Sequence, residues 1–292
     1  MPEVRLYLEW VLPVVYRPFG FFDLGHGRPY VDEQQADIQY QAIVDTWWEP
    51  LLTWLEARYA EGSGTMRAFF SIEHHTLAWL RLHREVFLRK LIALVNTGAL
   101  TPVLIPDDYS LAAPNEVTLA DEVNKNRDLL FAWFWTRPSE AILPGGISFA
   151  WDGGLTYTLA AVPGLGLTSA WSPGTDPLIR LDNARHLLKM GPPADQAPAL
   201  VFDLNPMQAE YLARLQHLAR AAHACPDPAI RTALAPLFRA DMFFWLGPDP
   251  RGVYAWPSPF LSPTEAYLTA MHQLEDAWLR LGMDTAADQV FL

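Results

Sequence analysis

Short apolar segments of strand composition alternate with longer segments of helical periodicity along the chain, and this alternation limits the fold more than any other feature. The strand-like segments are Val4 to Trp10, Met66 to Ile72, Thr101 to Ile105, Gly166 to Ala170 and Ala199 to Asp203. Ala141 to Leu143 and Ile147 to Phe149 read as one strand interrupted by Pro144-Gly145-Gly146. Between these lie amphipathic stretches. From Glu33 to Ala60, the residues Ile38, Ala42, Ile43, Trp47, Leu51, Trp54 and Leu55 recur at helical spacing with Pro50 against the pattern, predicting two helices or one kinked there. Thr76 to Asn96 predicts a single helix with Arg81, Arg84, Arg89 and Lys90 on its outer face, and Leu119 to Trp135 another. Leu155 to Ala161 reads as a short helix. Helices then dominate at Met207 to Ala222, Pro228 to Leu237 and Pro263 to Leu281, the last announced by a Ser262 cap and a proline at its first position. Repeated strand-then-helix order predicts an α/β fold with a parallel sheet or barrel.

The composition narrows what such a fold is for. Thirty-three acidic against 21 basic residues give a net charge of −12 over 292 residues, with no Lys/Arg-rich run, so nucleic acid and anionic membrane surfaces meet repulsion. No uncharged apolar stretch reaches the roughly 20 residues needed to span a bilayer. Cys225 is the single cysteine, which excludes an internal disulfide, and the N-terminal residues lack a secretory pattern; a cytoplasmic protein is expected. No cofactor motif or metal-ligand spacing stands out. Twelve tryptophans are the unusual element, because an indole is a large core filler and also a stacking surface.

In parallel α/β folds the working residues follow strand C-termini. Those positions hold Glu9, Trp10, Glu73, His74, His75, Asp107, Asp108, Tyr109, Trp151, Asp152, Trp171 and Asp203, a rim of carboxylates and indoles that fits a carbohydrate cleft. Trp245 joins them as a stacking candidate outside the helical patterns.

With the strand ends located, the sequence resembles glycoside hydrolase family 57, in particular its α-amylase-like branch. The resemblance is carried by Leu6-Tyr7-Leu8 with Pro13, by Phe21-Phe22-Asp23-Leu24-Gly25-His26-Gly27 and Tyr30-Val31-Asp32-Glu33, and by Phe70-Ser71-Ile72. Near the other end it is carried by Ala240-Asp241-Met242-Phe243-Phe244-Trp245 and by Ser258 to Tyr267. It implies an incomplete (β/α)7 TIM-like barrel over residues 1–205 with a helical C-terminal region, 206–292, packed on it. It also implies that His26 and Asp241 contact substrate and that Asp203, in Val201-Phe202-Asp203-Leu204, takes the family's acid/base position.

The catalytic pattern is incomplete. Retaining glycosidases use a nucleophilic carboxylate about 5 to 5.5 Å from the acid/base. The stretch matching the family's nucleophile is Leu143-Pro144-Gly145-Gly146-Ile147-Ser148-Phe149, and neither Gly145 nor Ser148 carries a carboxylate. The family's first-strand His-Gln-Pro reads Val11-Leu12-Pro13, and Tyr109 stands where it has a histidine. The resemblance therefore implies a catalytically degenerate relative that binds α-glucan or another oligosaccharide, or serves as a partner surface for a second copy or a related active subunit. Two enzyme readings stay open: an α-glucan hydrolase with relocated carboxylates, pairing Asp203 with Asp107, Asp108, Glu73 or Asp152, and a metal-dependent hydrolase built on His74, His75, Asp107 and Asp108.

Overall fold

A computed structural model describes residues 4–61, 66–110, 116–138, 147–149, 155–157, 200–201, 205–247 and 258–283. Three strands, β1 (Val4–Trp10), β2 (Met66–Ile72) and β3 (Leu100–Pro102), form a parallel sheet in chain order. β1 runs alongside β2 from Val4↔Met66 to Trp10↔Ile72, and β3 joins at Ala68↔Leu100. The crossovers are helical, as the alternation predicts. α1 (Glu33–Ile43) and α2 (Glu49–Ala60) lead from β1 to β2, and α3 (His74–His83) and α4 (Glu85–Asn96) from β2 to β3. Next come α5 (Glu116–Phe134), then α6 (Pro206–Ala224), α7 (Pro228–Leu234), the short α8 (Asp241–Trp245) and α9 (Pro263–Arg280).

The period of two in a strand sorts the side chains of β1. Leu8 and Trp10 lie on the helix-covered face, where Trp10 is fully buried with ring centroids 6.2 Å from Trp48, 5.5 Å from Phe70 and 5.8 Å from Phe87. Trp10 is thus part of the layer between sheet and helices, and its expected stacking role in a cleft is corrected. α1 runs through a π-helical stretch, Val44–Trp48, directly into α2, and the stretch falls just before Pro50, whose missing N–H interrupts the regular helical hydrogen bonding there.

Elsewhere the helix ends follow their caps. Ser262 Oγ accepts from Glu265 N at 3.1 Å, as expected, and Asn205 forms a capping box with Gln208 ahead of Pro206. The single helix expected over Thr76–Asn96 is instead two: Arg84 leaves helical geometry at φ −141° and its Nη2 donates to both Asp45 carboxylate oxygens at 2.8 and 2.9 Å.

A second sheet departs further from expectation. β4 (Ile147–Phe149), β5 (Leu155–Tyr157) and β6 (Leu200–Val201) pair antiparallel, Ile147↔Tyr157 and Tyr157↔Leu200. Leu155–Tyr157 is therefore a strand rather than the start of a helix. Its Thr and Tyr favour strands, and Asp152-Gly153-Gly154 just before it has hairpin-turn composition. Leu200–Val201 joins this sheet, whereas the barrel reading expects it among mainly parallel strands; the described strands form two sheets and no closed barrel. The predicted strands at Ala141–Leu143 and Gly166–Ala170 lie outside the described residues. No described helix is long and apolar enough to cross a membrane.

Candidate functional site

A pocket of about 550 Å³ opens beyond the C-terminal ends of the parallel strands. One wall comes from the segments after β2 and β3: Glu73, His74 and His75, then Asp107 and Asp108. Tyr40 of α1 lines it too, and the opposite wall is Ala235, Pro236 and Arg239 from the helical C-terminal region. Gly27, Pro29 and Tyr30 flank it, with Arg280 of α9 behind them. Asn126 of α5 ties the two strand ends together by donating to Ile72 O at 2.9 Å and accepting from Ile105 N at 3.1 Å.

Glu73 is wholly buried because it caps α3. Its Oε1 accepts from Thr76 N at 3.0 Å and from the Thr76 hydroxyl, and its Oε2 from His75 N. The same Thr76 hydroxyl accepts from Leu12 N at 2.8 Å, which fastens the segment after β1 to the helix. Burial pushes the Glu73 pKa up, opposed by the nearby Arg239 and by these hydrogen bonds.

Arg239 is the charge at the centre of the site. Its Nε donates to Asp241 Oδ2 at 3.0 Å, its Nη1 lies 3.8 Å from Glu73 Oε1, and its Nη2 donates to Leu12 O at 2.8 Å. Burial opposes its charge, yet Asp241 and Glu73 hold its pKa above the ordinary arginine value. Beneath it lies the Tyr109 ring, 5.4 Å from the guanidinium carbon, a cation–π contact. Tyr109 takes a left-handed backbone, φ 51°, unusual for a bulky residue, and its carbonyl accepts from Ala240 N at 2.9 Å. Ser110 and Arg239 form a β-bridge. Two adjacent backbone pairs, Tyr109 with Ala240 and Ser110 with Arg239, thus join the strand-end wall to the helical wall beside the buried ion triad.

The titratable groups around the pocket divide into held and available. His75 Nε2 lies 3.1 Å from Tyr40 Oη, and burial with the Arg239 charge lowers its pKa to about 4, so it is neutral at pH 7. Asp107 is pushed up to about 6, by burial first and by Glu73 second, and its Oδ1 is buried with no hydrogen-bond partner among the described residues. Glu122 is raised by burial and by Asp108 against the pull of Lys125, whose Nζ lies 2.6 Å from Glu122 Oε1.

Of the sequence-predicted residues, Glu73, His74, Asp107 and Asp108 meet in this pocket, and Tyr109 and Asp241 support it through Arg239. His26 is exposed on the flanking loop, beside the lining Gly27. Trp245 is 5% exposed and packs edge-on against Tyr16 at 6.0 Å and near Phe260 at 6.0 Å, so it belongs to the core of the helical region and its stacking assignment is corrected. Asp203, Trp151, Asp152 and Trp171 lie outside the described residues, as does Gly145. Among the described residues no group of three His, Cys, Asp or Glu side chains is placed to hold a metal ion, so the His/Asp metal set is not assembled there. Sequence reasoning missed Arg239, although a lone arginine inside Pro236-Leu237-Phe238-Arg239-Ala240-Asp241-Met242-Phe243-Phe244-Trp245 is a buried charge in need of a partner. Tyr40 was missed as a pocket residue as well, whereas His75, named beside His74 at the strand end, does line the pocket.

Comparison with solved structures gives a weak likeness. A solved 4-alpha-glucanotransferase from Thermococcus litoralis matches with 16% sequence identity and a TM-score of 0.34, over 39% of this chain and 17% of that one. No family model matches the chain, and no curated protein does.

Proposed function

We propose that this chain is a glycoside hydrolase family 57-like protein whose pocket binds an oligosaccharide of the α-glucan type without cleaving it. The observation that carries the reading is the commitment of the inner carboxylates: Glu73 caps a helix and Asp241 is bound to Arg239. A nucleophilic carboxylate must be free to approach an anomeric carbon, and these two are held by donors on the protein side. The sequence resemblance supports the same conclusion, since Gly145 and Ser148 leave the nucleophile position without an acid. What remains toward the pocket is acceptors and donors for hydroxyl groups, from Asp107, Asp108 and His74, against aromatic Tyr30 and Tyr40.

One observation favours a second reading. Asp107 lines the pocket, and burial raises its pKa to about 6, as a proton donor to a leaving group in an active hydrolase with relocated carboxylates requires.

Calorimetric titration with maltoheptaose tests the binding reading. Saturable heat is expected at micromolar to millimolar strength, since solvent-competed hydroxyl contacts supply roughly 4 to 8 kcal/mol net. Asp107→Asn is expected to weaken the binding by about ten-fold, one lost charge-assisted hydrogen bond. Absence of heat together with a solution mass above 32.9 kDa would favour the partner-surface function instead.

A further inference from the structure

The loop from Gly20 to Tyr30 is held unusually well for a segment that carries two exposed aromatic rings. Asp276, fully buried on α9, accepts from Gly25 N at 2.7 Å and from Tyr30 Oη at 2.7 Å, and Arg280 Nε donates to it at 2.6 Å. Arg280 also reaches Arg28 O and lies 4.5 Å over the Tyr30 ring. Within the loop, Asp23 accepts from Gly20 N at 2.8 Å and pairs with Arg28, and Gly25 and Gly27 turn the chain at φ 73° and 66°, geometry that glycine adopts without strain. Phe21 and Phe22 stand on this frame 68% and 89% exposed, edge to face with centroids 5.8 Å apart.

We infer that Phe21 and Phe22 form an outer subsite for sugar rings of an oligosaccharide that runs out of the pocket; this rests on the saccharide reading above. The same loop lines the pocket through Gly27, and the five residue steps from Phe22 to Gly27 span at most about 18 Å of chain. The rings are presented in advance by the Asp276 pin, so binding there orders no loop. Two phenylalanines offer about 400 Å², half of the roughly 800 Å² per partner that a stable protein interface buries. An anionic membrane is disfavoured by the net charge of −12. A sugar needs less area: its apolar face stacks on a ring while its hydroxyls meet neighbouring polar groups, here Asp23 and Arg28.

The test compares maltose with maltoheptaose by calorimetry, in the parent, in the Phe21→Ala/Phe22→Ala double variant and in Phe22→Trp. The parent is expected to bind maltoheptaose about ten-fold more tightly than maltose. The double variant should lose most of that preference with maltose affinity unchanged, and Phe22→Trp should keep it. An unchanged preference in the double variant overturns the outer subsite while leaving the pocket reading intact. Failure of both sugars to bind the parent overturns both. A solution mass that is dimeric in the parent and monomeric in the double variant assigns the rings to a second copy and overturns the subsite.

Discussion

Arg239 Nε donates to Asp241 Oδ2 at 3.0 Å with both side chains almost wholly withdrawn from water. A buried charge pair adds little compared with a well-packed apolar replacement, but removing one member leaves the other uncompensated. Arg239→Met is therefore expected to destabilise the protein by about 3 to 5 kcal/mol, because Asp241 and Glu73 then share a dry site without a cation. Combining it with Glu73→Gln and Asp241→Asn should recover part of that loss. Urea unfolding of the single and triple variants checks this; equal stability of Arg239→Met and parent would refute the triad.

Asp107 gives a pH dependence of unusual sign. Its folded pKa, about 6, lies above the ordinary value of 3.8, so between those limits the unfolded chain loses a proton that the folded one keeps. Its contribution to stability accordingly falls as pH rises from about 4 to 6 and is level above that. Asp107→Asn removes the effect. Denaturant unfolding across this range should show the variant gaining on the parent as pH rises, with no difference near pH 3.

His75 runs the opposite way. With a folded pKa near 4 against 6.5 unfolded, it refuses a proton that the unfolded chain accepts, so stability is lost as pH falls between those values. His75→Gln is expected to flatten that loss relative to the parent. A parent that is equally stable at pH 7 and pH 4.5 once Asp107 is also replaced by Asn would contradict the buried neutral imidazole.

The strand-end residues were legible because their signal is local: an acid immediately after an apolar run, as in Ile72-Glu73 and Ile105-Pro106-Asp107, sits where a parallel sheet places its working groups. Trp10 obeys the same positional rule and yet is core, because the strand's alternation turns it toward Trp48 and Phe87 on the helix side. The break at Arg84 depends on Asp45, and the role of Arg239 on Glu73 and Leu12, all distant in sequence, so no local pattern encodes them. The last helix was read nearly to the residue, owing to Ser262-Pro263 at its start, whereas the helix expected from Met207 begins one residue earlier, at Pro206 behind its Asn205 cap.

Asp276 holds the aromatic loop, so Asp276→Ala is expected to cost about 2 to 3 kcal/mol, the value of hydrogen bonds to a buried charged group. Amide hydrogen exchange at Gly25 should accelerate more than at sites within β2. Unchanged protection at Gly25 would mean that the loop is held by other contacts.

The central claim is that the pocket holds a saccharide whose bond it does not break. Release of reducing ends from maltoheptaose, followed over many hours at concentrations where calorimetry gives saturation, tests it most directly, beside Asp203→Asn and Asp107→Asn variants. The account predicts saturable binding with no release above that of either variant. Sustained release by the parent that either substitution abolishes would contradict it and make that aspartate catalytic.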